Sequence, residues 1–164
     1  MEAIDADLVA AFRDYAEARV RFLNALERAT SCRDPLAELS EWLVHRLLGG
    51  TLALSRVQKG YDLIRPDGRK VQVKYLANPG QKWVNEHHVR FDGGADDYAL
   101  VVFEGMALDT VVLFARETIG EVCRRLGKRH PGQDRGLQMT RVNYLEILDN
   151  AVEFARIGVS VYRP

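Results

Sequence analysis

The chain has 164 residues, 47% of them hydrophobic and 28% charged, and its 23 basic and 23 acidic side chains leave a formal net charge of zero. That describes one globular domain with a full core and excludes both a disordered chain and the overall basic character of a dedicated nucleic-acid binder. With no apolar run of 18 residues, no signal-peptide pattern at Met1-Glu2-Ala3-Ile4-Asp5 and no metal-ligand spacing between Cys32 and Cys123, a cytoplasmic protein with reduced thiols and no membrane span is expected.

Residues 5–29 carry Leu8, Phe12, Tyr15, Arg19, Phe22, Leu23 and Leu26 near helical spacing, without glycine or proline, which predicts a long amphipathic helix. Such a stripe either packs on the domain or outruns it and serves a homodimer or a partner protein. Thr30-Ser31-Cys32-Arg33 interrupts it. Asp34 as N-cap and Pro35 in the first turn open a second helix to Leu48, stopped by Gly49-Gly50. Leu36, Leu39, Leu43 and Leu47 form its expected buried stripe, with Glu38, Glu41 and His45 on a neighbouring face. A short strand over 51–55 follows, and Arg56-Val57-Gln58-Lys59 leads on.

Lys59 to Tyr75 predicts a β-hairpin, because 61–65 and 70–75 alternate around Pro66-Asp67-Gly68. A three-residue loop suits the fixed φ of Pro66 and a left-handed Gly68, and pairs Arg65 with Arg69. A two-residue Asp-Gly turn would pair Pro66 with Arg69 and set Asp62 opposite Val73. The first is preferred because it keeps proline out of the ladder. It places Asp62 opposite Gln72 on one face, with Lys74 one diagonal step further on, and Leu63, Val71 and Val73 on the other.

Beyond the hairpin, Lys82, Trp83, His87, His88 and Arg90 lie in a polar stretch suited to phosphate contacts and base stacking, or to an ordinary surface loop with a half-buried tryptophan. His87-His88 is a poor metal pair, since neighbours on a strand face opposite ways. Residues 98–103 and 110–115 are apolar runs suited to strands covered on both faces, the first of them central. A helix over 116–126 ends at Gly127. The basic stretch from Lys128 to Gly136, with Lys128, Arg129 and Arg135, suits either a DNA-backbone loop or a solvated one. Thr140 caps a last helix over 141–149, and 151–157 continues it or folds as a further turn.

Asp62, then Gln72-Val73-Lys74, with Glu41 on the helix before them and Glu38 as its rival, resembles the PD-(D/E)xK or restriction-endonuclease-like nuclease superfamily. The resemblance spans about residues 35–115, and Gln72 in place of an acid is similar to the Mrr-like branch, restriction enzymes acting on modified DNA. It implies an α/β fold with a mixed central sheet flanked by helices. The whole of 1–164 would be one nuclease-like domain: a helical extension over 1–30, a core over 34–127, and a C-terminal loop and helix over 128–164.

It further implies a Mg²⁺-dependent endonuclease, with Mn²⁺ as a substitute metal, acting on DNA or RNA. Asp62, the Gln72 amide oxygen, the Val73 carbonyl and Glu41 would hold the metal, and Lys74 would stabilise charge on the phosphate. His45, Lys59, Lys82, Trp83, His88, Arg90, Lys128, Arg129 and Arg135 are the candidate DNA contacts. With no visible target-recognition segment, a protein partner would supply specificity. The alternatives are a non-catalytic nuclease-like module binding DNA or a protein, and an unrelated α/β interaction domain.

Overall fold

The computed structural model describes residues 6–53, 60–80, 83–91, 94–127 and 136–164. Helix α1, Ala6–Ala25, is followed by α2, Pro35–Leu48. The α1 helix stops sooner than its stripe suggests, because Glu27 adopts a left-handed φ of 57° and the Arg28 N–H turns back to the Leu23 carbonyl. Helix α2 starts and stops where the sequence places it. The Asp34 carboxylate accepts from the Leu36 and Ala37 N–H groups, and Gly49 at φ +70° closes the other end. A side chain is impossible at Gly50, where a Cβ would lie 2.0 Å from the Ile64 carbonyl oxygen.

The strands are β1 (Thr51–Leu52), β2 (Leu63–Ile64), β3 (Lys70–Asn78), β4 (His87–Arg90), β5 (Asp97–Glu104), β6 (Ala107–Ala115), β7 (Gly136–Met139) and β8 (Val159–Tyr162). Six of them form one mixed sheet in the order β1-β2-β3-β5-β6-β8, parallel only between β3 and β5, while β4 and β7 pair separately. The fold is therefore α/β, with helices on both faces of a mixed sheet. Strand β5 is central and buried along nearly its whole length, as its uninterrupted apolar run requires.

The two faces bury different sets. Val71, Val73, Val101 and Phe103 pack with Val44 of α2, and α1 lies against α2, with its Leu23 buried. Tyr98, Leu100, Val102 and Phe114 point the other way. They meet the β4–β7 pair, helix α3 (Ile119–Arg125) and helices α4 (Arg141–Asp149) and α5 (Ala151–Arg156).

Several expectations need correction. Leu47 is exposed and Val44 takes the fully buried place in α2, because the helix rotates its 44 position onto the sheet. Strand β1 covers two residues rather than 51–55, and 54–59 lie outside the described residues. A 3-10 turn, Arg116–Thr118, precedes α3. The C-terminal segment is more than a loop and helix. It adds β7 and the sheet edge β8, and Asn150 divides 141–157 into two helices. Thr140 caps α4 as expected, accepting from the Asn143 N–H at 3.2 Å. Cys32 and Cys123 are free thiols. No helix among the described residues is long and apolar enough to cross a membrane.

Candidate functional site

The hairpin closes through the three-residue loop. The Arg65 N–H donates to the Arg69 carbonyl and the Gly68 N–H to the Arg65 carbonyl, both at 2.9 Å, with Gly68 at φ +85°. Leu63 pairs with Val71 and Ile64 with Lys70, the expected register; at Asp62 the regular ladder ends, its N–H donating to the Val71 carbonyl at 2.8 Å. The two-residue turn, with Asp62 opposite Val73, is excluded.

Regular pairing of β2 with β3 ends at Leu63, which leaves the Val73 N–H without a strand partner on that side. The Asp62 carboxylate fills the gap. Its Oδ2 accepts from the Val73 N–H at 2.8 Å and from Gln72 Nε2 at 2.5 Å. The Val73 carbonyl shares the direction of its N–H, toward Asp62 and away from β5. By alternation Lys74 lies on the Gln72 face, exposed. Asp62, Gln72 and Val73 are thus brought together at the place where the hairpin opens, and Lys74 follows along β3.

Glu41 lies on α2, the helix that covers the Val71–Val73 face, and senses the negative charge of Asp62. It is 6% exposed and accepts from Arg33 Nη2 at 2.5 Å. Burial pushes its carboxyl above the ordinary 4.5; the Arg33 hydrogen bond opposes this, and the negative charge of Asp62 reinforces it. Glu38, its rival, is committed elsewhere. Ser31 Oγ donates to it at 2.6 Å, with Arg28 at 3.6 Å and Arg33 at 3.8 Å. Arg33 is itself held even more firmly in its charged form, chiefly by the bond to Glu41, and the negative charge of Asp62 contributes.

Arg33 and Tyr98, neighbours of the site, escaped the sequence reading, and His87, a candidate phosphate contact there, is half-buried. His87 Nε2 shares a hydrogen bond of 2.5 Å with the Tyr98 hydroxyl, and Tyr98 stands beside Gln72 in the β3–β5 register. Burial lowers the His87 pKa, and the positive charges of Lys74 and His88 lower it further. Alternation in His87-His88 meant that one ring had to face inward. Which one depends on the β4–β7 pairing, 48 residues apart in sequence at Val89 and Leu137.

The candidate DNA contacts among the described residues lie on different elements. His45 Nε2 is engaged with the Gly50 carbonyl at 3.1 Å. Trp83 is half-buried, donates to Glu104 at 2.9 Å and packs on Tyr144 with ring centroids 5.0 Å apart, so its indole belongs to the fold's packing. His88 and Arg90 are exposed, on the side of β4 opposite to the buried Val89. Lys59, Lys82, Lys128, Arg129 and Arg135 lie outside the described residues.

Among the described residues no group of three or more His, Cys, Asp or Glu side chains could hold a metal ion. Mg²⁺, however, accepts carbonyl oxygens and keeps several waters, so one or two carboxylates suffice. The carboxylates of Asp62 and Glu41 and the Val73 carbonyl are oxygen donors of the type that cation takes. Gln72 turns its NH₂ toward Asp62, which leaves its amide oxygen directed away from that carboxylate. No protein-family profile matches the chain, and no curated protein matches it.

Proposed function

We propose that the chain is a divalent-metal-dependent nuclease hydrolysing DNA phosphodiester bonds, with a PD-(D/E)xK type site of the Gln variant in a restriction-endonuclease-like core. One observation carries it: Asp62 meets Gln72 and the Val73 backbone where β2 leaves β3, with Lys74 following on the same face. Glu41 from the preceding helix, electrostatically linked to Asp62, completes the arrangement.

In this reading Asp62, the Val73 carbonyl and Glu41 hold Mg²⁺, or Mn²⁺ in its place. The ion would polarise the phosphate and make its bound water a better nucleophile. Gln72 and the Val73 N–H fix the Asp62 carboxylate, so its orientation needs no rearrangement when substrate arrives. Lys74, exposed and without a salt bridge among the described residues, places an ammonium beside the attacked phosphate.

A second reading is favoured by the Arg33–Glu41 pair, since an acid already matched to an arginine suits a non-catalytic module that binds DNA or a protein partner. The two separate when plasmid, modified and branched DNA, with RNA alongside, are incubated with Mg²⁺, Mn²⁺ or EDTA. Metal-dependent cutting, lost by about 10³-fold in Asp62→Ala and Lys74→Ala, is the expected result. Binding without cutting, the same in the presence of EDTA and in both variants, selects the binding module.

A further inference from the structure

A buried carboxylate needs a positive partner, and at Glu41 that partner belongs to the chain itself. Arg33 Nη2 lies 2.5 Å from Glu41 Oε1, and the guanidinium is also within electrostatic reach of Asp62. It therefore occupies the neighbourhood in which the proposed reaction requires a cation. We propose that Arg33 competes with the divalent cation for Glu41, holding that carboxylate until the metal replaces the guanidinium. The inference rests on the nuclease reading of Asp62, Gln72 and Lys74.

The surroundings favour exchange over a permanent pair. The Arg33 side chain is 33% exposed, so it has a route to solvent, while Glu41 beneath it has little. The backbone that carries Arg33 is pinned, because Arg19 Nη2 donates to the Ser31 carbonyl at 3.0 Å and to the Arg33 carbonyl at 2.9 Å. The guanidinium can thus swing out while the connector between α1 and α2 stays in place. Glu38 loses only a 3.8 Å contact in that movement and keeps Ser31 and Arg28. Glu41 gives up its 2.5 Å bond to Arg33. Two cations cannot share so small a space without strong repulsion, so occupancy by metal and by Arg33 should be mutually exclusive at Glu41.

Calorimetric titration of MgCl₂ and MnCl₂ into the full chain tests this with Arg33→Gln and Arg33→Gln/Glu41→Gln. Competition predicts that Arg33→Gln binds the cation roughly tenfold more tightly than wild type. The double variant should lose that gain. If wild type binds and Arg33→Gln binds equally or more weakly, the competition is wrong and the metal site at Asp62 survives. If none of the proteins binds either cation, the competition and the nuclease reading fall together. Should Arg33→Gln not fold, the wild-type Arg33 Nε–H resonance decides: with competition it moves along the Mg²⁺ isotherm, and an Asp62 signal that moves while Arg33 does not overturns the proposal.

Discussion

At the tip of the β2–β3 hairpin Arg65 and Arg69 close on Asp97, whereas at its open end the Asp62 carboxylate, among the described residues, meets an amide and a backbone N–H. Arg69 grips Asp97 in bidentate fashion, Nη2 to Oδ1 at 2.6 Å and Nε to Oδ2 at 3.0 Å, with Arg65 Nη1 at 2.9 Å. Asp97 is 2% exposed and its bonding is filled by the fold. Among the described residues, no cationic side chain lies within salt-bridge distance of Asp62, and Lys74 has no anionic partner. Charge at the tip is committed to structure; charge at the open end retains capacity for a ligand. The difference teaches that the number of charged residues in a hairpin says less than whether each already has its counterion.

The comparison breaks most visibly in stability. Arg69→Ala leaves a buried carboxylate with one arginine instead of two and is expected to cost about 3 kcal/mol in urea unfolding. Lys74→Ala, at the open end, should change stability by no more than about 0.5 kcal/mol. Equal losses in the two would show that Lys74 is as structural as Arg69.

A pH series sharpens it next. Because the Glu41 pKa is raised in the folded chain, the native state retains this proton where the unfolded chain has released it. Stability from this group is therefore fullest below the ordinary 4.5 and declines as pH rises through the raised folded value. Urea midpoints of wild type and Glu41→Gln, compared from about pH 4 to about pH 7, should differ in slope, with the variant the flatter.

The smallest effect is spectroscopic. Lys74→Ala removes a positive charge that depresses His87, so the His87 pKa should rise toward the ordinary 6.5 in an NMR titration. An unchanged pKa would place Lys74 outside the electrostatic neighbourhood of the β4 strand.

Much of the site was legible because it is local. The register that pairs Leu63 with Val71, next to Asp62 and Gln72, follows from Pro66-Asp67-Gly68, and the limits of α2 follow from Asp34, Pro35 and Gly49. What depended on distant pairing was not legible. The four residues of β8 are too short for their alternation to stand out, and they reach β6 only through tertiary contact. Arg33 lies in a stretch without periodicity, and its link to Glu41 is made from a connector that Arg19 and Ser31 hold in place. The end of α1 was hidden for another reason: a glutamate, Glu27, occupies the left-handed position that glycine usually marks.

Strand β8 bears on association between copies of the chain. Strand β6 presents Val111, Val112, Leu113 and Phe114, and β8 pairs with all four. An uncovered edge of that composition is a template for strand addition and the start of aggregates. Four residues added late in the chain turn that template into an interior strand. The new edge is short and is followed by Arg163-Pro164, a charge and a residue without an N–H that do not extend a ladder.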